Sequence, residues 1–442
     1  MADGLYGDLS GAEAISDASS RKLEKVLSSL SYRLGKIIVD SARKPWMLPL
    51  IPFSIGKLLV SFSLESLGKR KYILHNSSTF ENNKQRDCIV LFPTNGVGLG
   101  HFSRMFSLAR AIKRARPSTE IVFFTTSPVV HPIYSRSFTC YHLPGRKKFT
   151  DMSPSSWNSI CEESLANVIS LHRPRIFVFD GSYPYRGMLN SIKNKTNIHK
   201  VWIRRPGKLS SNSIPTDSIS HFDRIVIPGD YIETDEEIFS SWDVEEVNLV
   251  PPLISVSRSD LLPSRELKGR LGIPNESQVA LISLGAGVIN EIGDVRRFVI
   301  EGITSRGIYA VIADSMLNPS DEFFDDTLVR VVKEFPIMKY RKSFDFAIIA
   351  GGYNSIHESI FLKLPSLVIP NDGTGSDDQR LRSNFAAQSG GFIVIDEGDY
   401  EMMDLAIERM CDESVRNQMI ESLIENERIV DGSPFLADAL FN

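Results

Sequence analysis

Cysteine is scarce and unpatterned. Cys88, Cys140, Cys161 and Cys411 are the only four, none stands in a C-x-x-C pair, and no Cys/His group has zinc spacing. A disulfide scaffold and a zinc ribbon are thereby excluded, and reduced, buried thiols in a cytoplasmic protein are expected. No apolar run reaches the ~20 residues a membrane-spanning helix needs. Charge of one sign is not in excess: 50 Lys+Arg against 54 Asp+Glu leave a net of −4, so no nucleic-acid partner is expected. The Lys-Ser/Thr ending of a phosphate-binding P-loop is missing, and so is the dinucleotide-binding glycine spacing. No acidic ribose contact closes the second strand, where Thr125-Thr126-Ser127 stands. There is no D-x-D triplet of the kind that holds a metal: Asp325-Asp326 and Asp377-Asp378 are adjacent pairs. No tandem short-period repeat occurs.

What is present describes a soluble globular chain. Apolar residues make up 42 % and charged residues 24 % of its 442 positions, and at ~150 residues per domain two or three domains are expected. The average charge hides an asymmetry. Residues 20–71 hold 11 basic and 3 acidic side chains. There Leu23, Val26, Leu27, Leu30, Leu34, Ile37 and Ile38 recur at helical spacing among Arg21, Lys22, Lys25, Arg33 and Lys36. A second apolar stretch, Trp46 to Phe62, is interrupted by Pro49, Pro52 and Lys57. Two readings stay open for residues 1–86: a helical extension packed on the body, or an interfacial anchor with apolar residues in lipid and cations on anionic headgroups.

From Cys88 the pattern changes to short apolar runs alternating with helical stretches. Strands are expected at 88–92, 121–126, 176–180, 200–203 and 224–227. After a polar boundary at Pro251–Arg265, more are expected at 279–284, 308–313, 346–350, 365–370 and 392–395, with a helix over 401–427. This alternation predicts an α/β protein whose parallel sheets are covered on both faces. It divides as an extension (1–86), a first Rossmann-like half (87–255) and a second (256–442).

Three strand-to-helix junctions carry chemistry. The first is Gly96-Val-Gly98-Leu-Gly100-His101-Phe-Ser103. Its glycines let backbone approach a ligand, and the helix start offers free amides to an anion. His101 titrates near neutrality and can take a hydroxyl proton; a solvated or capping histidine is the other reading. The second is Gly351-Gly352-Tyr353-Asn354-Ser355-Ile356-His357-Glu358. Asn354 and Ser355 are good caps, so the helix is expected to begin there. Glu358 then either accepts both hydroxyls of a ribose or serves as a capping-box acid. The third is Asp377-Asp378-Gln379-Arg380-Leu381-Arg382, a ligand contact or a solvated helix start. Asp180 ends its strand and is placed to orient His101, to bind the acceptor, or to stabilise a turn. Arg204-Arg205 faces an anionic acceptor or is a surface pair.

Together the G-x-G-H turn, GGYNSIHE, the strand Leu364-Pro-Ser-Leu-Val-Ile-Pro370 and DDQRLR resemble, in order, the motifs of family 28 glycosyltransferases. That group includes the UDP-N-acetylglucosamine transferase of peptidoglycan synthesis. The resemblance covers roughly 88–430. It implies the GT-B fold, two Rossmann-like domains across a cleft, with the nucleotide-sugar donor on the C-terminal one. It further implies that His101 lies near the reacting groups and that Glu358 binds ribose. Gly98 and Gly100 would admit diphosphate or acceptor, Gly285, Gly287, Gly352, Asn354 and Ser355 would line the diphosphate, and Asp378 and Gln379 would face the sugar hydroxyls. The departures are Val97 and Leu99, which loosen the glycine turn, and Arg382, which stands where that enzyme has an asparagine.

The expected activity is inverting, metal-independent transfer from a nucleotide diphosphate sugar, a UDP-sugar first, to an acceptor hydroxyl. No cofactor is implied beyond the donor substrate. A hinge at 251–265 would close over the donor. If the extension binds membrane, the acceptor is a lipid-linked or envelope glycan and the protein works at the inner membrane face. The rivals are a nucleotide-sugar hydrolase or epimerase, and a non-catalytic nucleotide-sugar-binding subunit.

Overall fold

A computed structural model describes residues 26, 28–66, 85–94, 98–205, 216–230, 246–285, 293–314, 326–371, 373, 377–427 and 429–441. The chain forms two compact units, one of Met1–Arg86 with Glu163–Arg173, the other of Asp87–Glu162 with Pro174–Asn442.

In the first unit, helix α1 (Leu30–Arg43) is capped by Ser29, whose Oγ accepts from the Tyr32 amide. A 3-10 turn at Pro45–Leu50 leads into α2 (Ile51–Ser66), with Pro52 in its first turn, where a missing amide costs least. Arg33 grips the Glu65 carboxylate at 2.7 Å and so ties α1 to α2. The amphipathic pattern expected from Leu23 to Ile38 extends to Arg43; its Leu23 and Leu27 lie outside the described residues. Trp46 and Phe53 are about three-quarters exposed, and Leu50, Leu59 and Val60 are also exposed. No helix among the described residues is long and apolar enough to cross a membrane.

The second unit holds two sheets. Strands β1 (Arg86–Pro93), β2 (Glu120–Thr125), β3 (Thr139–His142), β4 (Pro174–Asp180), β5 (His199–Ile203), β6 (Arg224–Pro228) and β7 (Glu246–Val250) assemble in the order β3-β2-β1-β4-β5-β6-β7. Strands β8 (Val279–Ser283), β9 (Tyr309–Ala313), β10 (Val329–Val332), β11 (Phe346–Ile349), β12 (Ser366–Val368) and β13 (Phe392–Val394) follow the order β10-β9-β8-β11-β12-β13. Every register described is parallel, as in Ile89 opposite Ile121 and Ala347 opposite Leu281. The central strands read as unbroken apolar runs because helices cover both faces. In the first sheet that core is aromatic: Phe92 meets Phe124 edge-on at 4.9 Å and Phe179 at 5.7 Å.

All the strands expected from sequence form. The three not expected, β3, β7 and β10, are edge strands of their sheets. An edge strand alternates with solvent and carries no continuous apolar run; Thr139-Cys-Tyr-His has no fully buried residue.

Helix α3 (Gly100–Ala115) follows β1 and is buried from Phe102 to Ile112. In the second half come α4 (Gly293–Thr304), α5 (Tyr353–Phe361), α6 (Gln379–Ala387), α7 (Tyr400–Cys411) and α8 (Glu413–Glu425). The single helix expected at 401–427 is thus two, broken where the Asp412 carboxylate accepts from the Ser414 amide. A last helix, α9 (Ser433–Ala439), returns to the first half. Its Leu436 and Ala437, with Leu440 beyond, join the core under α3, and Ser433 hydrogen-bonds Ser107 at 2.7 Å.

The segment 251–265, read from sequence as a polar boundary, is partly core: Leu253, Ile254 and Val256 are buried. It is tied to α3 through Arg110, which donates to the Ser255 carbonyl at 2.7 Å and pairs with Asp260, and through Ser107, which donates to the Ile254 carbonyl. Both sheets reverse strand order at one place, between β1 and β4 and between β8 and β11. Ligands of doubly wound sheets bind at the carboxyl ends of the strands beside such a reversal.

Candidate active site

Those strand ends hold most of the residues singled out above. Past β1, Gly98 and Leu99 lead into α3, and His101 lies in its first turn. Leu99 is the N-cap and offers no side chain to the helix amides. A Cβ on Gly98 would touch nothing within 4 Å, and one on Gly100 would meet only Arg104 Nη1 at 3.7 Å. Among the described residues, packing does not require glycine at either place, and the space beside them is open.

Asp180, at the end of β4, meets His101. Its Oδ1 lies 2.7 Å from His101 Nδ1. Arg104, one turn along α3, chelates the same carboxylate, with Nε donating to Oδ2 at 2.9 Å and Nη2 to Oδ1 at 2.7 Å. Two groups contact Nδ1: Asp180 Oδ1, which only accepts, and Arg104 Nη2 at 2.8 Å, which only donates. In the tautomer with the proton on Nδ1, His101 donates to Asp180, and Arg104 Nη2 gives its hydrogen to Asp180 Oδ1. The other nitrogen, Nε2, is then the basic one, and among the described residues it has no hydrogen-bond partner. Burial lowers the His101 pKa below 6.5; Asp180 raises it and Arg104 lowers it again. The imidazole is therefore neutral at pH 7. Burial alone would raise the Asp180 pKa, but Arg104 and then His101 outweigh it, and the group stays ionised.

In the second half, β8 runs into Gly285, whose φ of +90° is a conformation that favours glycine. Gly287 lies outside the described residues. After β11 come Gly351 and Gly352. A Cβ on Gly351 would sit 2.4 Å from Ser383 Oγ, so close packing of α6 demands that glycine, whereas Gly352 faces open space. The helix expected to begin at Asn354 or Ser355 begins at Tyr353, with Gly352 as its N-cap and no side chain bonded to its first turn. Asn354 and Ser355 are therefore first-turn residues and not caps, and among the described residues no side chain caps the turn's amides.

Glu358 is buried on α5, and its carboxylate accepts from Ser255 Oγ. With no cation as partner, burial pushes its pKa up to about 7. Asp378 caps α6 by accepting from the Leu381 amide at 3.0 Å, and Gln379 Oε1 accepts from the Asn371 amide at 3.1 Å. One oxygen of each thus supports the loop itself.

Four groups that sequence reasoning did not place complete the picture. Asp230, just past β6, receives a bidentate pair from Arg382 (Nε to Oδ1 and Nη2 to Oδ2, both 2.8 Å). Arg382 is the departure from the asparagine of the resembled family, and it links the halves. Tyr353 Oη donates to the Gly229 carbonyl at 2.8 Å. Its ring lies within 6 Å of the guanidinium carbons of Arg104, Arg205 and Arg382. Arg104 left one signal: a charge three residues after His101, one helical turn along.

Neither a family model nor a curated protein sequence matches this chain. Solved structures do. The glycotransferase of kitacinnamycin aligns with a TM-score of 0.54 at 13 % identity, over 81 % of this chain and 99 % of its own. The spinosyn forosaminyltransferase gives 0.54 at 13 % identity, over 80 % and 99 %. Os79 from O. sativa, solved with U2F and trichothecene, gives 0.54 at 13 % identity, over 79 % and 98 %. At such identity the likeness establishes the architecture: two Rossmann-like halves in the GT-B arrangement that these structures share.

Proposed function

We propose that this chain is a glycosyltransferase that moves a sugar from a nucleotide diphosphate sugar, with UDP as the expected nucleotide, onto an acceptor hydroxyl with inversion. The observation that carries this reading is the Asp180–His101 pair, with Nδ1 occupied and Nε2 open beside the strand reversal of the first sheet. Nε2 would take the proton of the acceptor hydroxyl as its oxygen attacks the anomeric carbon. The bond from that carbon to the diphosphate oxygen breaks, and the nucleotide diphosphate leaves with the electron pair. The uncapped first turn of α5, at Gly352, Asn354 and Ser355, would stabilise that charge. Gly98, Gly100 and Gly285 leave room for it, Glu358 would hold the ribose, and Asp378 and Gln379 the sugar hydroxyls. Metal independence rests on these amides and on the missing D-x-D.

A panel of nucleotide sugars, offered without acceptor or metal and read by thermal shift and nucleotide release, tests the reading. One UDP- or TDP-sugar is expected to raise Tm with only slow nucleotide release. Fast release of free sugar would instead identify a hydrolase, and a changed sugar stereoisomer an epimerase. Indifference to every nucleotide would sink the donor site.

The first unit supports a peripheral membrane role and a lipid-linked or envelope-glycan acceptor. Trp46, Leu50, Phe53 and Val60 are exposed on a stretch that is rich in basic residues. The full chain is expected to sediment with vesicles containing anionic lipid and to stay in solution with neutral ones. Equal sedimentation with both kinds, or with neither, would reject the electrostatic anchor.

A further inference from the structure

Arg205 stands two residues past β5, and it is not the surface side chain that one reading of the sequence allowed. Its side chain is 22 % exposed, and among the described residues its one ionic contact is Asp377 Oδ1 at 3.5 Å. That oxygen is already held by Arg382 Nη2 at 2.5 Å. The two neighbouring guanidiniums are fully engaged: Arg104 chelates Asp180 and Arg382 chelates Asp230. Arg205 lies over the same Tyr353 ring, 4.8 Å from its centroid, with five donors and one long contact. Burial lowers its pKa, and Asp377 does not compensate against Arg104 and Arg382. A partly buried, weakly paired cation beside His101 gains most from an added anion.

We propose that Arg205 is the oxyanion-binding side chain of the cleft, exchanging Asp377 for a phosphate or carboxylate oxygen of a substrate. Two substrates can supply that oxygen, the donor diphosphate or an acid group on the acceptor; only this naming of substrates rests on the transferase reading. The planar fork of Arg205 would bind two anion oxygens at once and leave Asp377 to Arg382.

The test uses the full chain, wild type and the variants Arg205→Gln, Arg205→Lys and Asp377→Asn, each checked for native circular dichroism. Inorganic phosphate and UDP are titrated by calorimetry, and phosphate is titrated again into UDP-saturated protein. Arg205→Gln is expected to weaken phosphate binding about ten- to a hundredfold, with Arg205→Lys recovering much of it. Asp377→Asn, which removes the competing carboxylate, is expected to tighten it several-fold. Phosphate competing with UDP, with UDP weakened by Arg205→Gln, assigns the site to the donor diphosphate. Phosphate binding alongside UDP, with UDP unaffected, assigns it to an anionic acceptor. Equal phosphate affinity in folded Arg205→Gln and wild type, or no saturable phosphate binding by wild type, overturns the proposal. Failure of UDP to bind wild type counts against the transferase reading, while the phosphate response still decides the role of Arg205.

Discussion

His101→Ala should lower kcat by about 10²–10⁴-fold and leave nucleotide affinity within about twofold of wild type, because in the proposed reaction the imidazole would act on the acceptor and the nucleotide would lie in the other half. The pH dependence gives a sharper signature. The active form is neutral His101, whose pKa lies below 6.5 through burial. Activity should therefore rise with pH through that depressed pKa and be level at neutrality. Arg104 opposes protonation of the ring it touches at 2.8 Å. Arg104→Gln removes that positive charge, so the acid limb of kcat/KM should move to higher pH by about one unit. Arg104→Lys keeps the charge and should leave the limb in place. Full turnover by folded His101→Ala would remove the imidazole from the chemistry. An unmoved limb in Arg104→Gln would reduce Arg104 to a structural partner of Asp180.

Glu358→Gln is expected to make the protein more stable and worse at binding nucleotide. The folded-state pKa of about 7 lies above the ordinary 4.5 because burial disfavours the carboxylate. The sign follows: below pH 4.5 the group is protonated whether folded or unfolded and has no effect. Between 4.5 and about 7 the unfolded chain ionises first, so stability falls as pH rises, and above 7 the loss is complete. A shift of that size corresponds to roughly 3 kcal/mol as a ceiling. Gln keeps an acceptor for Ser255 and has no charge to bury. Thermal denaturation should show the variant level with wild type at pH 4 and several degrees more stable at pH 8. A carboxylate can accept from both hydroxyls of a ribose and an amide cannot, so UDP affinity should drop about tenfold or more at pH 8. Wild-type affinity should climb through pH 7, and the variant's should be flat. Stabilisation without any loss of nucleotide would remove Glu358 from the ribose site.

Much of this site is legible in the amino-acid sequence. The turns at Gly98–His101 and Gly351–Glu358 announce themselves because glycine and a polar residue at the end of an apolar run interrupt a strong pattern. Asp180 is legible for the same reason. Arg104 and Asp230 are not, because a charge on a helix or in a loop reads as solvated unless the opposing element is known; Arg205 is singled out, but its neighbours are not. Arg104 is buried only because β4 brings Asp180 to it across 76 residues. The edge strands β3, β7 and β10 share this limit: their pattern is set by what lies beside them in space. The helix start at Tyr353 escapes a sequence reading because cap preference points to Asn354 and Ser355, while the helix begins after Gly352 with no side-chain cap.

The return of α9 to α3 has a consequence for how the chain comes into being. Synthesis runs from the amino end, so all seven strands of the first sheet are made long before residues 433–440. Until those arrive, the apolar face that accepts Leu436, Ala437 and Leu440 has no cover, and the first half waits on the last to be translated. A chain cut before Ser433 would keep both sheets and leave the first one unsealed. Residues 433–440 are in this sense a seal made late: the half that carries His101 closes only when they are present.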